Sequence, residues 1–406
     1  MEEKIYKLSI LCLKIATILS FIVGFFFYIN RGIGGGDEWH FINDLKIINE
    51  QGWIFAIEKK ISIPYMILVY PFSFILPQVA VYRFVNLLLF IGLVIYFYKM
   101  GEIKNKLFYF YFLFYSATCW YVTGTNDVVF VVFSIIFFNE VYKIIEQREN
   151  YSVSLLLSSL IIVIFTRELY IVFLPVILLS VFLLFKVKVN WLHKIKYPLT
   201  IFLFFLIINI PSVVKNHSFS YDFKEVPADV KSTWTQRQYL AQLLVNEGKL
   251  ADKQHPTWEE TDNYLKKNGV NSLPNSQFKS IFFDFGQTCI EFFKNYKDLI
   301  QDSVRQEGII LIVVLCYLFY FLLKNKKLVL NLYLPLIIFV MCSVFAFIIF
   351  SYIETRWLIA IFIMALIYYS DLEYYNKLSR KILIFNNFLI CAIVVYGFYK
   401  ISLKIG

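Results

Sequence analysis

Residues 8–29 read LSILCLKIATILSFIVGFFFYI and residues 30–40 read NRGIGGGDEWH. The first stretch holds one charge, Lys14, and as a helix it covers about 33 Å, enough for the hydrocarbon core of a bilayer. Lys14 lies near an end, where its ammonium can snorkel. No small-residue cleavage site follows, so the run reads as a first membrane helix and not a removed signal peptide. The second stretch sets four glycines, three of them consecutive, and two acids, Asp37 and Glu38, where the chain leaves the apolar phase.

Working outward, the rest of the chain repeats that pattern. Its 406 residues are 59% hydrophobic and 20% aromatic, with only 17% charged. An ordinary soluble domain is roughly 45–50% apolar, and one soluble core cannot bury this much apolar surface. A cytosolic enzyme, a secreted disulfide scaffold and a disordered protein are excluded. Six cysteines stand singly and no pair has CxxC spacing, so neither a disulfide framework nor a structural zinc site is expected.

Span-length apolar runs lie near 8–29, 82–98, 106–122, 128–145, 151–165, 169–185, 197–214, 308–323, 328–352, 357–370 and 382–399. A further apolar stretch, 61–77, contains Pro64, Pro71 and Pro77 and is expected to kink instead of crossing. With an inner N-terminus, the short inner pieces, which include Lys186, Lys188, Lys194, Lys196 and the Lys324–Lys327 cluster, hold 17 Lys plus Arg against 8 in the short outer pieces. Letting 61–77 cross would turn those clusters outward.

The expected fold is therefore all-α, a polytopic membrane protein of about eleven transmembrane helices plus a mostly helical outer region. Residues 1–214 form an N-terminal transmembrane module whose first outer loop, 31–81, carries the acids. Residues 215–306 form an outer region and 307–406 the C-terminal transmembrane helices. Segment 215–306 has 12 basic and 12 acidic residues, so the net charge of +10 belongs to the inner face and to anionic lipid, not to nucleic acid. Within it, Thr257 and Glu260 form a capping-box pattern before a short helix. Residues 276–300 show an amphipathic pattern (Phe278, Phe282, Phe285, Ile290, Phe293) suited to a membrane surface.

The ionisable residues at membrane edges outside the inner clusters all fall on one face in this topology: Asp37, Glu38, Arg83, Asp127, Arg167, Glu168, Glu354 and Arg356. Such residues near lipid are costly unless paired or wetted, and are functional candidates for that reason. A carboxylate on a glycine-rich loop, Asp37 above all, can take a proton from an attacking group. Two further carboxylates, Glu38 and Asp127, can orient an acceptor or hold a divalent cation, for which Asp37 and Asp127 are the ligands to consider. Arginines bind a phosphate leaving group bidentately. No nucleotide-binding glycine motif or zinc-protease motif occurs.

Each residue also has a plainer reading. Asp37 and Glu38 would then merely exit a helix, Asp127 would cap one, and Arg83 would anchor a lipid headgroup. Arg167–Glu168 and Glu354–Arg356 would be local surface pairs. His40 is structural or acceptor-orienting, because one histidine makes no metal site. His217 and His255 read as surface residues.

These residues resemble the GT-C superfamily of integral-membrane glycosyltransferases, over roughly residues 8–190. Members show an acidic pair after the first span (here Asp37-Glu38), a proline-tyrosine segment (here Ile63-Pro64-Tyr65 to Tyr70-Pro71), an Arg-led second span (here Tyr82-Arg83-Phe84-Val85-Asn86) and an acid at the fourth (here Asn126-Asp127). The resemblance implies an inverting transfer from a polyprenyl-phosphate-linked sugar to a glycan, lipid or protein acceptor. Asp37 would be the base, Glu38 and Asp127 its support. The site would lie on the periplasmic or extracellular side of the plasma (inner) membrane. Arg356, Arg167, Arg83, Glu354 and His40 are the substrate- and phosphate-binding candidates. A polysaccharide polymerase or ligase, and a transporter or flippase, are the alternative classes.

Overall fold

The computed structural model describes every residue except 33–36, 188–193, 223–226, 228, 326–329, 349–352 and 406. Gly34–Gly36 of the glycine-rich loop, and Lys188, Lys326 and Lys327 of the inner clusters, lie outside the described residues. Among those described there is no strand. The helices in order are α1 (Glu2–Ile29), α2 (Asp37–Glu58), α3 (Ile63–Val69), α4 (Gln78–Lys99), α5 (Leu107–Ser116), α6 (Asp127–Ile145), α7 (Val153–Thr166), α8 (Tyr170–Lys186) and α9 (Lys196–Asn216). Next come α10 (Trp234–Asn246), α11 (Trp258–Asn268), α12 (Gln277–Phe283) and α13 (Phe285–Glu307). Last are α14 (Ile310–Asn325), α15 (Tyr333–Ile348), α16 (Ile359–Tyr374) and α17 (Arg380–Ile405).

Seven segments among the described residues are helical, long and apolar enough to cross a membrane: α1, α4, α6, α9, Leu330–Phe347, Thr355–Tyr374 and Arg380–Leu403. The chain is thus built as a multi-pass membrane protein. The other four expected spans, 106–122, 151–165, 169–185 and 308–323, fold as the shorter apolar helices α5, α7, α8 and α14. The proline-rich stretch breaks up as its chemistry demands. Pro64 sits in the first turn of α3, a single 3-10 turn covers Tyr70–Phe74, and Pro77 caps α4.

The chain divides into two compact units, one of 1–222, 303–338 and 358–406, the other of 223–302 and 339–357. In the first, α6 and α16 are buried on nearly every side, whereas α1, α9 and α17 leave most of their apolar surface open. Apolar side chains facing outward from such helices suit lipid and not water. α1 packs on α5 and α17. A Cβ at Gly24 would stand 2.4 Å from the Ala117 carbonyl oxygen, so α1 and the end of α5 approach as closely as they do only through glycine.

Charge is also buried at the C-terminal end of α6. Glu140 and Lys143 have no exposed surface and pair at 2.5 Å. Tyr96 donates to Glu140 at 2.7 Å, and Lys143 donates to the carbonyls of Met100 (2.8 Å) and Asn150 (2.7 Å). Nearby, Arg148 pairs with Asp371, which also accepts from Tyr142 at 2.8 Å. Lys143 and Arg148, two of the charges counted in the inner pieces, are buried structural partners.

In the second unit, Thr257 and Glu260 form the expected capping box, and Thr233 with Gln236 forms another. A small core gathers Tyr239, Leu240, Leu265 and Leu273. The amphipathic stretch breaks at Asp284 into α12 and α13. There Thr288, Glu291 and Asn295 are buried while Phe278, Phe282, Phe285, Ile290 and Phe293 stand exposed, the inverse of a water-facing helix.

Candidate functional site

Asp37 and Glu38 are the first residues of α2 and not part of a loop. Carboxylates there suit the positive end of the helix. Their fates diverge, because successive residues on a helix point about 100° apart. Asp37 remains partly exposed, whereas Glu38 is buried. One Glu38 oxygen accepts from the Gly124 backbone N–H at 2.7 Å, and the other meets Arg83 at 3.4 Å. Gly124 is required for this approach. A Cβ there would lie 3.0 Å from the Tyr82 side chain and 3.2 Å from the Glu38 carboxylate.

Arg83, one turn into α4, spends its donors on the chain that follows α1. It donates to the carbonyls of Arg31 at 2.8 Å, Gly32 at 3.0 Å and Ile29 at 3.4 Å, as well as to Glu38. Its role here is to hold the lead-in to the acids. Three residues past Gly124, Asp127 opens α6, is buried, and pairs with Arg167 at the end of α7. Thr125 donates to it at 3.3 Å. Asn86 of α4 donates to the Thr123 and Thr125 carbonyls, and Ser62 donates at 2.9 Å to Thr166 beside Arg167. Residues spread over 38–167 are thereby joined at one end of α6. Glu168 is exposed and takes no part in these bonds.

His40 is the hinge of a second group that pattern reading missed. Its Nε2 lies 2.7 Å from Asp222 and 4.0 Å from Asp44, one turn along α2. Asp44 is buried, and its Oδ2 has no hydrogen-bond partner among the described residues. Burial pushes the Asp44 carboxyl up to about 7, Asp222 adding to the rise and His40 opposing it. The available signal was helical spacing. Positions 37, 40 and 44 fall on one face of α2, a titratable stripe beginning at Asp37. Asp222 arrives from beyond α9, a distance no local pattern spans. Tyr82 closes the group by donating to the Phe41 carbonyl at 2.6 Å.

Glu354 and Arg356 belong to the second unit, where they pair with each other. His255 lies in that unit too, half-buried and not a surface residue as expected. Burial and the charge of Arg237 hold its imidazole below the usual range, with Glu354 pulling the other way. His217 is exposed, in a left-handed turn after α9. Among the described residues no group of three or more His, Cys, Asp or Glu is arranged to hold a metal ion.

The first unit thus offers a partly exposed acid at a helix start, backed by a locked acid, two arginines and a buried carboxyl that titrates near neutrality. No protein-family model, curated protein or solved structure matches the chain, so its function is read from this geometry.

Proposed function

We propose that the chain is an integral-membrane glycosyltransferase with a GT-C type of fold, in which the four shorter apolar helices cross as well. It moves a sugar from a polyprenyl-phosphate carrier to an acceptor at the outer face. The observation that carries this reading is the joining of Glu38, Arg83, Gly124, Asp127 and Arg167 around the start of α2, where Asp37 keeps access to solvent.

The acceptor hydroxyl gives its proton to Asp37 as its oxygen bonds to the anomeric carbon. The bond from that carbon to the phosphate oxygen breaks, and the phosphate leaves with the electron pair, still anchored by its lipid. Glu38 and Arg83 keep Asp37 in place by fixing the first turn of α2 and the chain before it. Arg167 supplies a guanidinium of the kind that stabilises a departing phosphate. Placing the reaction at a membrane edge suits a donor that never leaves the bilayer.

Replacing Asp37 by Asn tests the reading. Transfer of sugar from a polyprenyl-phosphate donor should fall by about 10²–10⁴-fold, the usual worth of a positioned base, while insertion and thermal unfolding stay as in the parent. Full activity in a correctly inserted Asp37→Asn chain would remove the base and, with it, the proposal.

A further inference from the structure

We infer that the second unit carries a binding cleft for an acidic saccharide, a sugar bearing a carboxylate, formed by Lys231, Gln236, Asn271, Asn275, Lys279 and Phe283. This deepens the proposed transfer reaction by naming the class of glycan the chain recognises. It rests on that reading only for the expectation that the ligand is a sugar.

The cleft has a volume of about 340 Å³, within the roughly 300–1,000 Å³ range of small-molecule sites and close to its lower end. Two exposed lysines line it from separate segments, and no carboxylate is among its lining residues. Neither ammonium has an ion-pair partner among the described residues. Two like charges around one hollow raise the local potential for an anion. The nearby acid, Asp262, is committed elsewhere. Its oxygens accept from the backbone N–H groups of Lys231 at 3.1 Å and Ser232 at 2.9 Å, which fixes the segment carrying Lys231.

The rest of the lining has the chemistry of a polyol site. Gln236 is buried, and its Oε1 accepts from the Thr233 N–H at 2.9 Å in the capping box. Its amide nitrogen has no partner among the described residues. Asn271 and Asn275 are exposed amides, each offering a donor and an acceptor, as vicinal hydroxyls require. Phe283 packs its ring edge-to-face on Tyr239, with centroids 5.5 Å apart, yet is 45% exposed. A ring held on one side and open on the other suits the C–H face of a pyranose. Leu273, from the unit's own core, lies beneath, so the cleft is formed before any ligand arrives. Inorganic phosphate would use the lysines and leave the amides and the ring idle. A neutral sugar would leave both ammonium groups unpaired. A carboxylated sugar engages all three kinds of group.

Isothermal titration of the purified full-length chain in detergent, with trigalacturonate as probe, tests this. Trigalacturonate should bind at least about tenfold more tightly than maltotriose or inorganic phosphate, about 1.4 kcal/mol. The Lys231→Glu/Lys279→Glu chain should lose at least about tenfold in affinity, and Phe283→Ala should weaken binding with no change in the melting profile. No binding at about 10 mM probe, unchanged affinity after charge reversal, or phosphate binding as tightly as trigalacturonate would each overturn the assignment. Binding is read without turnover. A chain that binds the probe but transfers no sugar therefore overturns the reaction and leaves the cleft standing.

Discussion

The two ends of α6 both carry charge, on opposite terms. At the C-terminal end, Glu140, Lys143, Arg148 and Asp371 are buried, and each is held by an ion pair and further hydrogen bonds. At the N-terminal end, Glu38 and Asp127 are equally well held, but Asp37 is partly exposed and Asp44 keeps an oxygen with no hydrogen-bond partner among the described residues. Buried charge paired with buried opposite charge marks scaffold, even where one atom, the Arg148 Nε, is left without a hydrogen bond among the described residues. A carboxylate that is partly exposed, or buried and holding its proton, marks a place where a proton or a ligand has something left to do. Composition does not separate the two ends, since each holds acids and bases. Only burial and bonding do.

The largest effect should come from the scaffold end. Lys143→Met strands Glu140 as an unpaired buried carboxylate, at a cost of about 3–5 kcal/mol, seen as a lower unfolding temperature and loss of monodisperse protein. The Glu140→Gln/Lys143→Met chain should suffer less, because no lone charge remains. If Lys143→Met is as stable as the parent, the contrast between the two ends is wrong.

Next comes Asp44. Its carboxyl holds a proton up to about pH 7 in the folded chain, against an ordinary value of 3.8. The folded state therefore binds the extra proton, and the stability this confers is full below pH 3.8 and is lost as pH rises through 7. Relative to Asp44→Asn, the parent should lose about 1.4 kcal/mol per pH unit across that window and nothing more above it. Denaturant unfolding at about pH 5, 6 and 8 reads the slope. His40, Asp222 and Tyr82 flank the group and stay in both chains. A pH-independent difference would mean that Asp44 is ionised throughout.

Glu38→Gln should cost about 1.5–3 kcal/mol, the worth of hydrogen bonds to a charged group. It should also speed hydrogen exchange at the Gly124 amide before it affects α6. Unchanged exchange there would show that Glu38 does not anchor the Thr123–Asn126 turn. At the small end, Lys7→Ala removes an exposed partner of Glu3 at 3.5 Å, and its unfolding temperature should match the parent's. A clear shift would mean that exposed pairs matter here as much as buried ones.

Much of this was legible before any coordinates. Apolar run length fixed the membrane class, the three prolines fixed the break at 63–77, and edge position singled out Asp37, Glu38, Asp127 and Arg167. What stayed hidden has a common cause. Asp222 reaches His40 from 182 positions away, and Arg148 reaches Asp371 from 223. Neither pairing has a local period. Lys143 and Arg148 look like surface charges because a sequence reports charge and not burial. Residues 339–347 read as transmembrane helix and belong to a segment long and apolar enough to be one, but the grouping of 339–357 with 223–302, where Asn295 donates to the Ala346 carbonyl at 3.3 Å, follows from no local pattern.

The pairing of α1 with α17 bears on how a cell makes this protein. Tyr6 bonds Glu373 at 2.7 Å, Glu3 meets Arg380 at 2.6 Å, and Asn387 donates to Ser9 at 3.2 Å. α1 leaves the ribosome well ahead of α17 and thus waits for partners more than 360 residues behind it. At about 5–20 residues per second, that delay is roughly 20–70 s. During it, Ser9 and Tyr6 lack their α17-side partners, so translation stalled before α17 leaves a bundle opened along α1 that quality-control proteases can recognise.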